Sequence, residues 1–237
     1  MKITSGTRPA IIAVTGLAKE ARIAAGPGVH AIAGGGNAGR LADALERELA
    51  LGARAVFSFG IAGGLVDDVA SGTWLVARTI VASDARWHCD AAWTNALAEC
   101  LPESIAVDLA GVDAPVMESD AKRALHRATG AAAVDTESHI AAAIAASYGL
   151  PFAAFRVVAD TARRRLPPVA AVALNRNARI SGRAVLGSLA RRPGQLPLVL
   201  RTAVDARSAL RALVRARRRL GHGLACPDLG ELLLDVS

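Results

Sequence analysis

Short apolar runs alternate, over the first two thirds of the chain, with stretches whose apolar residues recur every three or four positions. Residues 10–14 read as a buried strand ending at Thr15-Gly16, and residues 29–33 as a second, ending in Gly34-Gly35-Gly36. Asn37 then caps a helix to about Leu51, with Leu41, Leu45 and Leu49 four apart on one face. Residues 54–59 form a third strand that runs into a glycine-rich turn at 60–64. Residues 73–82 form a fourth and residues 152–159 a fifth. The patterns over 118–128 and 136–148 predict helices, the second stopped by Gly149 and Pro151. The first sixteen residues as a whole read as a strand entering a turn. Strands alternating with helices predict an α/β fold of three layers, a mixed, largely parallel sheet flanked by helices. Ligands of such sheets sit beyond the carboxyl ends of the strands, where the glycine-rich turns, Asp84 and Asp160 all fall.

From Thr161 the character changes. Arg163-Arg164-Arg165-Leu166-Pro167-Pro168 is a basic connector broken by proline, and Pro193-Gly194 opens a long helix. Its apolar stripe is Leu196, Val199, Ala203, Ala206, Leu210, Leu213 and Leu220. The reading divides the chain into a domain of residues 1–165 and an Arg-rich, mostly helical extension of residues 166–237 packed on or beside it. Charge supports the division: residues 1–160 hold 13 basic and 17 acidic side chains, whereas residues 161–237 hold 15 arginines, no lysine and 4 acids. A tail of that kind points to an anionic partner.

Among 237 residues 52% are hydrophobic, enough for a large core and too many for disorder. No apolar run is long enough to span a bilayer and no signal peptide is recognised, which predicts a cytoplasmic chain. Three cysteines without a CxxC pair argue against a disulfide framework or structural zinc. The histidines lack metal-ligand spacing, and GxSxG is absent. The segment Gly34-Gly35-Gly36-Asn37-Ala38-Gly39 is explained by turn geometry, being neither a Walker A loop nor a full dinucleotide fingerprint. In Val134-Asp135-Thr136-Glu137-Ser138-His139, Asp135 reads by itself as a helix cap and Glu137 as an acid favoured by the helix dipole. Asp160, after an apolar strand, reads either as a cap or as a partly desolvated general acid.

Taken together in this order, the segments resemble the purine nucleoside phosphorylase and nucleosidase superfamily, most closely its methylthioadenosine/S-adenosylhomocysteine nucleosidase branch. Gly16-Leu17-Ala18-Lys19-Glu20 resembles that family's N-terminal turn, and Ser58-Phe59-Gly60-Ile61-Ala62-Gly63-Gly64-Leu65 its Asn-Thr-Gly-Ser-Ala-Gly-Gly-Leu segment. Val134-Asp135-Thr136-Glu137 is similar to Val-Glu-Met-Glu, and Arg156-Val157-Val158-Ala159-Asp160 to Arg-Ala-Ile-Ser-Asp. The likeness covers roughly residues 10–165. The start, the Asp-x-Glu-Ser-His variant and the tail containing Arg191-Arg192-Pro193 resemble the hopanoid-associated phosphorylase group.

The resemblance implies a nucleoside phosphorylase-like fold, no cofactor, a homo-oligomer, and cleavage of an adenine N-ribosidic bond. The implied substrate is adenosylhopane, giving ribosylhopane or its phosphate. Methylthioadenosine or S-adenosylhomocysteine, or a non-catalytic nucleoside-binding protein, are the alternatives. It also implies roles for particular residues. Asp160 protonates the departing purine, and Glu137 grips the ribose hydroxyls. Asp135, Thr136, Ala62, Gly63 and Ser58 make further contacts with substrate. Glu20 stands where phosphorylases carry an arginine and favours water as nucleophile, being repulsive to phosphate. Arg22, Arg40 and Arg86 are the candidates that could hold phosphate, so inorganic phosphate stays open as co-substrate. For the tail, peripheral contact with an anionic membrane and packing on the domain or another subunit both stand. Nucleic acid is disfavoured by the 3% of aromatic residues.

Overall fold

A computed structural model describes residues 10–172, 178–179 and 181–227. The reading of residues 1–9 as part of a first strand lies outside them. In chain order the elements are β1 (Ile11–Thr15), α1 (Ala18–Ala24), β2 (Val29–Ala33), α2 (Ala38–Ala50), β3 (Ala55–Gly64), β4 (Trp74–Val81) and β5 (Arg86–His88). They continue with α3 (Ala91–Cys100), β6 (Ile105–Gly111), α4 (Ser119–Thr129), β7 (Ala133–Asp135), α5 (Ser138–Ser147) and β8 (Phe152–Asp160). The last are α6 (Val169–Val172), α7 (Gly182–Arg191), a 3₁₀ turn (Pro193–Gln195) and α8 (Leu196–Arg219).

The strand runs are apolar throughout because both faces of the sheet are covered. Ile11, Ala13, Phe57, Phe155 and Val157 face one core with α3 and the end of α8, whereas Ile12, Val14, Val56, Ala154 and Val158 face the other with α2 and α5. The layers are therefore helix, sheet, helix. The sheet is mixed: β1 pairs β2 and β3 in parallel, as do β3 with β8, β4 with β6, and β6 with β7. The pairs β3–β7, β4–β5 and β4–β8 are antiparallel. Because β8 bonds both β3 and β4, the strands β3, β8, β4, β6 and β7 close into a ring.

That closure corrects the expected turn at 60–64. The segment continues β3, with a register shift between Ala62 and Gly63 as its partners change from β8 alone to β8 and β7. The earlier triplet is a turn as expected, Gly35 and Gly36 both lying in the left-handed region. Asn37 caps α2 by accepting from the Arg40 amide at 2.8 Å.

The tail requires two corrections. Of the predicted stripe on α8, Leu213 and Leu220 are buried; the face that packs is Ala209, Ala212, Leu213, Ala216 and Leu220. Small side chains let this half of the helix lie close against the sheet beside Phe57, Phe59 and Phe155. The Trp93 indole N–H donates to the Leu224 carbonyl at 2.8 Å, fastening the chain beyond α8 to α3. The basic connector is also neutralised from within. Arg163 makes a two-pronged pair with Asp67 at 2.8 and 2.7 Å, Arg164 pairs with Asp205 on α8, and Arg165 pairs with Glu118 at 2.7 Å. No helix among the described residues is long and apolar enough to cross a membrane.

Candidate active site

A cavity of about 200 Å³ opens where β3, β7 and β8 converge, beside the turn from β1 into α1. Its polar lining is Glu20, Asp135, Thr136, Glu137 and Asp160, and Ala62 and Gly63 line it from β3. Leu17, Val112, Pro115, Val116, Val134 and Leu166 make the remainder strongly apolar. Seven residues expected from sequence thus meet in one place.

Each acid is held by its element. Glu20, on the first turn of α1, reaches back so that Oε2 accepts the amides of Gly16 at 3.0 Å and Leu17 at 2.7 Å, while Oε1 accepts that of Ile61 at 2.9 Å. Burial nevertheless prevails over these bonds and raises its pKa. Asp135 Oδ1 accepts the amides of Glu137 at 2.8 Å and Ser138 at 2.7 Å, which starts α5 and turns the Glu137 side chain into the cavity. The cap position read for Asp135 falls instead on Glu137, two residues on, and the Asp135 carboxylate holds the start of the helix from before it.

Behind these acids lies Arg156, a fully buried charge in the middle of β8. Its Nη2 donates to Ser58 Oγ at 2.7 Å and Ser138 Oγ at 3.0 Å, and its Nε lies 3.1 Å from Asp135 Oδ2 as an ion pair without hydrogen-bond alignment. Glu137 is farther off, Oε2 to Nη2 being 4.0 Å. One guanidinium thus faces three carboxylates. Burial opposes the Asp135 charge, but the nearby Arg156 and Ser138 more than offset it and keep that carboxyl below its usual range. Glu137, with burial and the Asp135 charge both against it, is pushed up to about 7.

Asp160 ends β8, and its Oδ2 accepts from the Lys122 ammonium of α4. Lys122 is fully buried and spends its other two protons on the carbonyls of Thr161 and Arg164, both at 3.0 Å. Burial raises the Asp160 pKa, with Lys122 opposing incompletely.

Four expected residues lie elsewhere. Ser58 is fully buried against Arg156 and Ser138, deeper along β3 than the residues that line the cavity. Arg22 is exposed on the outer side of α1, lining a separate groove. Arg40 folds back to the Gly34 carbonyl at 2.9 Å. Arg86 is exposed on β5 and donates to the Thr129 carbonyl at 3.4 Å. None of these three arginines lines the acidic cavity. Asp84, at another strand end, lies in an exposed turn. Conversely, Lys122 and Arg156 were not foreseen as parts of the site. Among the described residues no group of three or more His, Cys, Asp or Glu side chains is placed to hold a metal ion.

Several solved structures share the architecture. Futalosine hydrolase of Helicobacter pylori is 15% identical with a TM-score of 0.60, over 88% of this chain and 96% of that one. The 5′-methylthioadenosine/S-adenosyl homocysteine nucleosidase of the same organism is 15% identical with a TM-score of 0.59, over 87% and 96%. The corresponding nucleosidase of S. pneumoniae is 14% identical with a TM-score of 0.59, over 89% and 99%. Likeness at these identities is likeness of fold. No curated protein matches the chain. The phosphorylase superfamily model, however, matches residues 3–190, most of the chain, and the protein belongs to that superfamily.

Proposed function

We propose that the protein cleaves the N-ribosidic bond of an adenine nucleoside by hydrolysis. The observation that carries this reading is the meeting of Glu20, Glu137 and Asp160 in one small cavity whose walls are largely apolar. Breaking the bond builds positive charge on the sugar and negative charge on the departing base. Asp160, whose pKa burial raises, is the group placed to pass a proton to the base, general acid catalysis being worth about 10²–10⁴-fold. Glu137 accepts from the ribose hydroxyls and its negative charge favours the cationic sugar; Thr136 and Asp135 fix its direction. Gly63 lines the cavity beside Asp160 with no side chain of its own, so the base lies against its backbone. Glu20 takes the proton of the attacking water.

Water is favoured over phosphate because the amides of Gly16, Leu17 and Ile61 are already occupied by the Glu20 carboxylate. An anion arriving there meets a like charge. For the group on the ribose 5′ position, the wall of Val112, Pro115, Val116 and Leu166 suits an apolar substituent, and adenosylhopane is the substrate we assign. Methylthioadenosine is the smaller alternative with the same requirement.

Chromatographic assay of adenine release from adenosylhopane and from methylthioadenosine, each with and without phosphate, tests the reading. Phosphate-independent release from the hopanoid is expected. Strictly phosphate-dependent release refutes the role of Glu20, and preference for methylthioadenosine refutes the lipid assignment. No adenine from either substrate refutes catalysis on adenine nucleosides.

A further inference from the structure

The outward face of α8 is divided along its length. At about 100° per residue, Leu196, Leu200 and Val204 fall in the same sector as Arg207, Arg211 and Arg218, opposite the buried Ala209, Ala212 and Ala216. The first half of that face is apolar: Leu196 is 45% exposed, Leu200 58% and Val204 66%, with Leu186 of α7 at 69%. The second half is cationic, Arg207, Arg211, Arg215 and Arg218 all being exposed. The single acid of the helix, Asp205, is turned away to Arg164. Alongside, between α1 and α8, runs a groove of about 540 Å³ edged by Lys19, Arg22 and Arg207 over a floor that includes Leu17, Ala206 and Leu210. No Asp or Glu of the described residues lines it.

Neither half of this face serves the fold of the single chain. Exposed leucines gain nothing from water, and neighbouring arginines without acids repel one another. Side by side they match a surface that is anionic outside and apolar just beneath. We propose that this face seats the protein on an anionic lipid bilayer. Leu186, Leu196, Leu200 and Val204 enter the interfacial layer, and a lipid phosphate lies in the groove of Lys19, Arg22 and Arg207. The arginines keep their charged ends among the headgroups while their stems lie against apolar surface.

Other occupants fit less well. Nucleic acid has no use for the exposed leucines and finds no aromatic ring in the groove. A second copy packed over the whole of this face, arginine half included, finds no acid on the matching face to answer those arginines. The inference is independent of the chemistry of the acidic cavity. The two are nevertheless adjacent, since Leu17 lines both the groove and that cavity, so a docked bilayer lies at the cavity's flank.

Co-sedimentation of the full-length protein with vesicles tests the proposal. Binding is expected to phosphatidylcholine vesicles containing phosphatidylglycerol, falling steeply with salt, and not to pure phosphatidylcholine. Each arginine near such a surface is worth about fivefold in partitioning. The double variant R207Q/R211Q therefore binds roughly 25-fold more weakly. L200S/V204S also weakens binding with the charge unchanged, and its thermal unfolding stays that of the parent because both positions are exposed. Failure to bind anionic vesicles, equal binding to neutral ones, or binding unaffected by both variants would overturn the proposal. Retention of nucleic acid in place of vesicles does the same. So does loss of a native oligomer in L200S/V204S with vesicle binding intact, which assigns the face to a second copy.

Discussion

Replacing Glu137 by glutamine stabilises the protein in alkaline solution while abolishing the proposed activity. Glu20, Asp135 and Glu137 share the single cation Arg156, and Glu137 is the least well placed, with its Oε2 4.0 Å from Nη2. Its pKa is pushed from an ordinary 4.5 to about 7, by burial first and by the Asp135 charge second. At 1.36 kcal/mol per unit, ionising Glu137 costs the fold roughly 3 kcal/mol. The sign follows from the direction of the shift. A carboxyl whose folded pKa lies above its unfolded one costs nothing below about pH 4.5, where both states hold the proton. The cost grows as pH rises and is complete above about pH 7. Glutamine never ionises, yet its amide oxygen can still accept from the Thr136 hydroxyl as Glu137 Oε1 does. Chemical unfolding of parent and variant at pH 5 and pH 8.5 measures the difference. The two are near parity at pH 5, and the variant leads by roughly 3 kcal/mol at pH 8.5, a large share of a stability of about 5–15 kcal/mol. A difference that does not change with pH, or a parent that gains at high pH, refutes the charge distribution described for the site.

Three further perturbations test other parts of the structure. Lys122→Met removes the cation touching Asp160 and leaves a buried carboxylate unpaired, costing about 3–5 kcal/mol. Because Asp160 then holds its proton more tightly, the alkaline limb of the pH–rate profile moves upward; an unmoved limb refutes the link. Asp160→Asn lowers adenine release by about 10²–10⁴-fold, and unchanged turnover returns the chain to a nucleoside-binding role. Gly111→Ala places a Cβ 2.3 Å from the His139 Cβ on α5, close to the backbone where nothing swings aside. An overpacking loss of about 1–3 kcal/mol follows, seen as a lowered unfolding midpoint.

What the sequence disclosed depended on how local the controlling physics was. β2 was legible to the residue, because a buried strand between turns is written in consecutive side chains. The cap Asn37 and the leucine ladder of α2 are equally local. β6 and β7 went unrecognised: β7 has three residues, and β6 begins exposed, so that the burial of both depends on the closed ring rather than on their own pattern. The extent of β3 was missed for the related reason that its glycines answer to strand crossing. Arg156 had a signal: a charge within Phe-Ala-Ala-Phe-Arg-Val-Val-Ala-Asp must find buried acids, and it finds Asp135. Lys122 had a fainter one. Of 28 basic residues in the chain 3 are lysines, and at this position an ammonium has three acceptors around a point, which a planar guanidinium cannot match. The outward face of α8 was obscured because the stripe read from the sequence took in Leu196 but not Leu200 or Val204, and periodicity does not say which face of a helix a domain covers.

The glycines and acids of the site are two sides of one arrangement. A Cβ on Gly16 would stand 2.9 Å from the Glu137 carboxylate, and one on Gly60 would stand 3.0 Å from that of Glu20. Glycine-rich backbone at strand ends is commonly a cradle whose amides receive a phosphate. Here the amides of Gly16, Leu17 and Ile61 converge instead on the chain's own Glu20. The side chain acts as a resident anion, and removing it should restore the cradle. In Glu20→Ala three buried amides lose their acceptor, at about 1–3 kcal/mol for each left unsatisfied. Inorganic phosphate that binds there recovers stability in proportion to RT ln(1 + [phosphate]/Kd). The variant is therefore expected to melt below the parent in phosphate-free buffer and to rise towards it as phosphate is added, while sulfate-free chloride of equal ionic strength has no such effect. The parent, with the cradle filled, shows no specific response. Should the variant ignore phosphate, or the parent respond equally, the amides around Glu20 are not an anion cradle, and the preference for water must rest on the other acids of the cavity.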